Sequence, residues 1–127
     1  MEVDPEAART KLGEASRHLS SAERVQGDDP EGAYALLYDA SRKAIDAHML
    51  ANGYRVSKGR LGAHQATILY AEAVLGAEAH GGEVDALDRM RRTRNRSEYE
   101  LWTIGEPTLA RDLEHAKEIV RLVESAL

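Results

Sequence analysis

Between Pro30 and Asn52 the apolar and small residues of one helical pattern cover more than half of the circumference, and this restricts the fold more than any other feature of the chain. On a wheel advancing roughly 100° per residue, Tyr34, Leu36, Leu37, Tyr38, Ala40, Ala44, Ile45, Ala47 and Met49 fill the arc, leaving Asp39, Arg42, Lys43 and Asp46 on the remainder. A helix apolar over that width must be covered on several sides, which places it in the middle of a bundle. Composition agrees with helices packed through small residues rather than with a sheet: alanine is abundant, prolines number 3, and phenylalanine is absent. A chain of 127 residues with 43% hydrophobic and 31% charged residues is expected to form one globular domain over 1–127.

The flanking segments supply its neighbours. Asp4-Pro5 and Asp29-Pro30 repeat one signal, a capping carboxylate before a proline whose missing N–H costs nothing at the first helical position. The first helix carries Ala8, Leu12, Ala15, Leu19 and Ala22 as a narrow inward stripe, with Gly27 as its expected stop. Gly53 is the expected left-handed stop of the second, and Tyr54 to Gly62 reads as a loop. A third helix is predicted from Ala63 to Ala79 with Ile68, Ala71 and Leu75 inward, ending at Gly81-Gly82. A fourth begins near Glu83. Gly105 separates it from a fifth, on which Leu109, Leu113, Ala116, Val120, Val123 and Leu127 keep heptad spacing. The expected fold is all-α, an up-and-down bundle of four main helices plus one additional helix.

Several function classes drop out. With no cysteine there is no disulfide framework, thiolate zinc site or cysteine nucleophile. The longest stretch without a charged residue, Leu61 to Ala71, falls far short of the roughly 18 residues that span a bilayer, and the acidic start does not read as a secretion signal. No membrane contact and a cytoplasmic location are therefore expected. His18, His80 and His115 are scattered, His48 reads as a satisfied core histidine, and His64 as a cap or turn residue. No two stand at metal-ligand spacing, so neither a metal nor a cofactor is expected. Gly59-Arg60-Leu61-Gly62 and Gly81-Gly82 lack the strand–loop–helix setting of a phosphate loop.

Charge concentrates attention on one segment. The net charge is -5, yet Arg89, Arg91, Arg92, Arg94 and Arg96 lie within eight residues that contain no acid. Any polyanion should be drawn there. On the helical wheel Leu87 centres the apolar face of the fourth helix, flanked by Val84, Met90, Leu101 and Trp102; Arg94 and Glu98 fall at that centre, with Arg91 beside them. Arg89, Arg92 and Arg96 are expected on the solvent side, while Asn95 and Tyr99 border the stripe. A charge aimed inward is costly unless paired. In one reading Arg94 and Glu98 form an i, i+4 pair that fixes packing or a dimer contact. In the other, Arg94, Asn95 and Tyr99 line a cleft that receives a phosphate, because arginine offers a planar fork of donors and the other two orient it. Arg91, Arg92 and Glu98 complete that cleft. Tyr34 and Tyr38 are expected in the core, and Trp102 at a packing contact or as a stacking surface.

Arg91-Arg92-Thr93-Arg94-Asn95-Arg96-Ser97-Glu98-Tyr99, behind Tyr34-Ala35-Leu36-Leu37-Tyr38-Asp39-Ala40-Ser41-Arg42-Lys43-Ala44 and Asn52-Gly53-Tyr54-Arg55, resembles the HEPN superfamily, and is most similar to its small actinobacterial SAV-type group. The likeness covers nearly the whole chain. It implies a four- or five-helix bundle that dimerises with its motif helices facing across a cleft, in many members a metal-independent ribonuclease site. There arginine stabilises charge on the scissile phosphate, and a histidine four to six positions after the asparagine or other polar residue that follows the arginine moves protons. Here the corresponding positions hold Tyr99, Glu100 and Leu101 counted from Arg94, and Arg96, Ser97 and Glu98 counted from Arg91. Tyrosine, with an ordinary pKa near 10, is a poor base at neutral pH. The resemblance thus implies an RNA-binding homodimer or degenerate ribonuclease with an antitoxin or nucleotidyltransferase partner, Tyr99 being a possible nucleotidylation target. An inactive interaction module and a nucleotide-binding protein are the alternatives.

Overall fold

Asp4 and Asp29 set where the first two helices begin. Their carboxylates accept the N–H of Ala7 at 3.1 Å and of Gly32 at 3.0 Å, and a proline follows each. Asp29→Ala is expected to cost about 1 kcal/mol, read as a fall in the thermal midpoint with no change in helical content.

The computed structural model describes residues 2–54, 63–76, 82–100 and 103–127, with residues 63 and 64 described by backbone alone. The helices are α1 (Pro5–Val25), α2 (Pro30–Ala51), α3 (Ala63–Leu75), α4 (Glu83–Tyr99) and α5 (Glu106–Ala126), and no strand occurs among the described residues. The chain is all-α. None of these helices is long and apolar enough to cross a membrane.

α2 packs against each of the other four helices, as its wide apolar arc demands. Tyr34, Leu37, Ala40, Ala44, Ile45 and Ala47 are buried along it, and Leu36 is half-buried. Ala8, Ala15, Leu19 and Ala22 of α1 are buried as expected. Alanines on both helices allow a close approach in the most extensive helix pair of the molecule.

The helix ends differ in how they stop. Gly53 has φ 83°, and the N–H groups of Tyr54 and Gly53 return to the carbonyls of Met49 at 2.8 Å and Leu50 at 3.3 Å, a Schellman turn. Gly27 is not left-handed: α1 ends at a right-handed Gln26, and the Val25 carbonyl accepts from both Asp28 and Asp29. α3 ends at Leu75, and residues 77–79 of the expected helix lie outside the described residues. A Cβ on Gly76 would lie 2.4 Å from the Glu72 carbonyl oxygen, so only glycine fits at that helix end. Gly81, His80, Trp102, Leu101 and the Gly59–Gly62 loop lie outside the described residues. On α5, Leu109, Leu113, Ala116, Val120 and Val123 are buried, whereas Leu127 is exposed where the helix runs past its neighbours.

Candidate functional site

α4 sits on the core through its first eleven residues. Leu87 and Met90 are buried, Met90 Sδ lies 3.8 Å from the Ser41 hydroxyl of α2, and Thr93 is buried one turn on. Beyond Thr93 the helix runs out to the rim of the bundle, and most of the candidate residues belong to this overhang.

Arg94 therefore does not point into a sealed interior. Its side chain is 32% exposed, one Nη reaches Glu98 Oε1 at 3.2 Å, and the guanidinium carbon stands 5.8 Å from the centre of the Tyr38 ring. Arg91 and Arg92 share Asp88, at 3.3 and 3.5 Å, and Arg96 pairs with Glu100 at 3.2 Å. The Nε–H groups of Arg89, Arg91 and Arg94 are buried without an acceptor, so each of these side chains keeps a donor that its carboxylate does not fill. Tyr99 does not border the apolar stripe: it is 82% exposed, because the last turn of α4 extends beyond the core. Asp88, Arg92, Asn95 and Tyr99, spaced by four, three and four, form one ridge. Beside it, Arg91 and Arg92 line a shallow groove whose other wall is Gln65, Ile68 and Glu72 of α3.

The positive cluster is locally balanced. Glu83, Asp85, Asp88, Glu98 and Glu100 match the five arginines one for one along α4 and its cap. The acids gather at the two ends of the helix and the cations in its middle, a pattern that charge counting over Arg89 to Arg96 alone does not show.

Arg89 occupies a place the wheel did not assign it. It turns away from solvent to Asp112 of α5, with Nη2 to Oδ1 at 2.7 Å, and is 34% exposed while Asp112 is 0% exposed. Tyr34 donates to the other oxygen at 2.5 Å, Thr93 hydrogen-bonds to Tyr34, and Arg111 donates to Asp112 through Nε at 3.1 Å and Nη2 at 3.2 Å. Burial pushes the Asp112 carboxyl up, but hydrogen bonds from Arg111, Tyr34 and Arg89 outweigh it and hold it below the usual carboxylate value. Burial and the bond to Asp112 raise the Tyr34 phenol. One carboxylate thus ties α2, α4 and α5 together just before the overhang begins, and sets the position of the ridge. Sequence reading missed Asp112, although it stands three residues after Leu109 and four before Ala116, in register with a buried seam.

Tyr38 is buried as expected. Burial raises its phenol, and the nearby Arg42, Arg91 and Arg94 offset part of that rise. His48 is half-buried and satisfied, its Nδ1 2.8 Å from the Tyr70 hydroxyl and 3.3 Å from Asn52 Nδ2, and burial lowers its pKa. Among the described residues no group of three or more His, Asp or Glu side chains is placed to hold a metal ion. No protein-family profile, no curated protein and no solved structure matches this chain.

Proposed function

We propose that the chain is a HEPN-like RNA-binding protein in which the ridge from Arg91 to Tyr99 meets the phosphate backbone across a cleft shared by two copies, and that it is a degenerate ribonuclease which binds RNA without efficient cutting. The observation that carries this reading is the overhang of α4. It presents Arg96 and Tyr99, with the half-buried Asn95, on a surface that the other described residues leave open, and Arg92, 65% exposed, stands just before it. Arg94 stands at its base, over Tyr38. In this reading Arg94 and Asn95 hold a phosphate, Arg91 and Arg92 extend the contact, and Glu98 orients Arg94. Cutting is weak because Tyr99 stands where the family's proton-transferring histidine would be. A cytoplasmic location and an antitoxin or nucleotidyltransferase partner belong to the same reading.

Binding of a single-stranded RNA is expected to weaken with salt, and each lost phosphate contact to reduce the log–log slope by about 0.7. Arg92→Ala should lower the slope by one such step, and Arg94→Ala should abolish binding. Fluorescence anisotropy across a salt series reads both. Binding unchanged in Arg94→Ala would overturn the proposal. Tyr99→His tests the lost chemistry, since cleavage gained by that variant alone marks a decayed nuclease.

The second reading, an inactive interaction module, is favoured by the carboxylate partner that each α4 arginine already has. Under it Arg94→Ala changes stability or dimerisation and leaves RNA unbound in every variant. Nucleotide binding in the same cleft is separated by a thermal shift with a nucleotide panel.

A further inference from the structure

Asp112 is surrounded by more donors than it can use. Arg89 Nη2 at 2.7 Å and Arg111 Nε at 3.1 Å reach Oδ1, while the Tyr34 hydroxyl at 2.5 Å and Arg111 Nη2 at 3.2 Å reach Oδ2. A carboxylate offers about four lone-pair sites, so this one is saturated. The two guanidinium groups are not. A guanidinium carries five N–H donors, of which Arg89 gives Asp112 one and Arg111 gives it two, and the Nε–H of Arg89 is buried without an acceptor.

The charges are unequal as well. One carboxylate, 0% exposed, faces two arginines that are 34% and 49% exposed, so the group carries two positive charges against one negative and shows the surplus only through its guanidinium groups. Neutralising Asp112 takes one arginine. The second adds a charge that packing does not call for.

The position of this surplus connects it to the candidate site. Arg89, Arg92 and Arg96, spaced by three and four, form a row along one side of α4, and Arg92 and Arg96 are both exposed. Arg92 also belongs to the ridge that ends at Tyr99, so row and ridge meet there. From Arg89 the shared carboxylate leads across to Arg111, in the second turn of α5. Cations thus continue from the overhang over the seam between α4 and α5.

We infer that Arg89 and Arg111 form a second phosphate site, in which the two guanidinium groups, held side by side by the Asp112 carboxylate, take a phosphodiester of the RNA strand as it passes from α4 to α5. A phosphodiester brings one negative charge spread over two unesterified oxygens, which matches the surplus charge and accepts from both planar forks. Because Asp112 already fixes the pair, little side-chain freedom is lost on binding. This site rests on the RNA reading above, and it lies outside the segment Arg91 to Tyr99 that the resemblance marks.

Fluorescence anisotropy of a labelled single-stranded oligouridine, measured on the full chain across a salt series, tests it. Arg111→Gln keeps an N–H donor for Asp112 and is expected to stay folded by circular dichroism. It should lower the log–log slope by about 0.7 and weaken binding by about fivefold at about 0.1 M salt, the loss of one phosphate contact. Arg111→Lys keeps the charge and should restore the slope. Arg9→Gln, at an exposed position of α1, should leave slope and affinity unchanged. Modification of arginines by phenylglyoxal, read by mass spectrometry on the native chain, needs no variant: RNA should protect Arg111 and leave Arg9 reactive. A native slope in Arg111→Gln, an equal fall in Arg9→Gln, or an Arg111 that RNA leaves as reactive as Arg9 overturns the second site. Binding that Arg94→Ala still abolishes then leaves the ridge reading intact, whereas a native chain that binds no RNA at any salt overturns both.

Discussion

Asp112→Ala is expected to destabilise the protein by about 3–5 kcal/mol, the range for removing one member of a buried ion pair. The carboxylate is fully buried and accepts from Tyr34, Arg89 and Arg111. Removing it leaves the Tyr34 hydroxyl without its acceptor in the core and Arg89 without the charge that draws it inward. For a chain of this length the thermal midpoint should fall by roughly 10 °C or more. Asp112→Asn keeps an acceptor for Tyr34 but loses the charge, so a smaller loss is expected, about 2 kcal/mol. The order native, Asn, Ala is the diagnostic result. An alanine variant as stable as the native protein would show that the three helices are held without this carboxylate.

The same residue gives the protein an acid limit. Asp112 has a folded pKa below its unfolded value, so its contribution is fully present above the ordinary carboxylate value of about 3.9 and is lost as the pH falls from there through the depressed folded value. Native stability should decline over that window more steeply than that of Asp112→Asn, and the two curves should converge at its lower end. Urea midpoints at a series of pH values read the difference directly.

The helices were legible because their signals are local. Asp4-Pro5, Asp29-Pro30 and Gly53 act within one turn, and each does in the structure what its chemistry requires. The end of α3 was not legible in the same way. The sequence offers no stop motif at Leu75, and only the close approach of Gly76 to the Glu72 carbonyl marks the end of α3 there. The site was legible as a concentration of arginines but not as an arrangement. A wheel assigns each residue an angle around its own helix and cannot tell where the neighbouring helices end. It therefore put Arg94 inside, although the side chain is 32% exposed at the rim of the bundle, and put Arg89 outside, although α5 brings a carboxylate to that side. Asp112 was overlooked because an acidic residue in an apolar seam reads as an interruption until its donors are known, and two of the three, Tyr34 and Arg89, are distant in sequence.

Leu37→Ala should cost about 2–5 kcal/mol, the loss of a buried side chain together with the cavity it leaves. Leu37 is fully buried midway along the helix that touches all four others, so no single neighbour can move to fill the space without losing contact with the rest. Leu69→Ala on α3 removes the same atoms from a side chain that is 58% exposed, and should change the stability of the monomer by less than about 0.5 kcal/mol. The pair separates what the core needs from what the surface retains. Urea denaturation at low protein concentration should show a large shift of midpoint with an unchanged slope for the first variant and almost none for the second. Equal costs at the two positions would mean that Leu69 is covered within the monomer, and the central position of α2 would then no longer explain why its apolar arc is the widest in the chain.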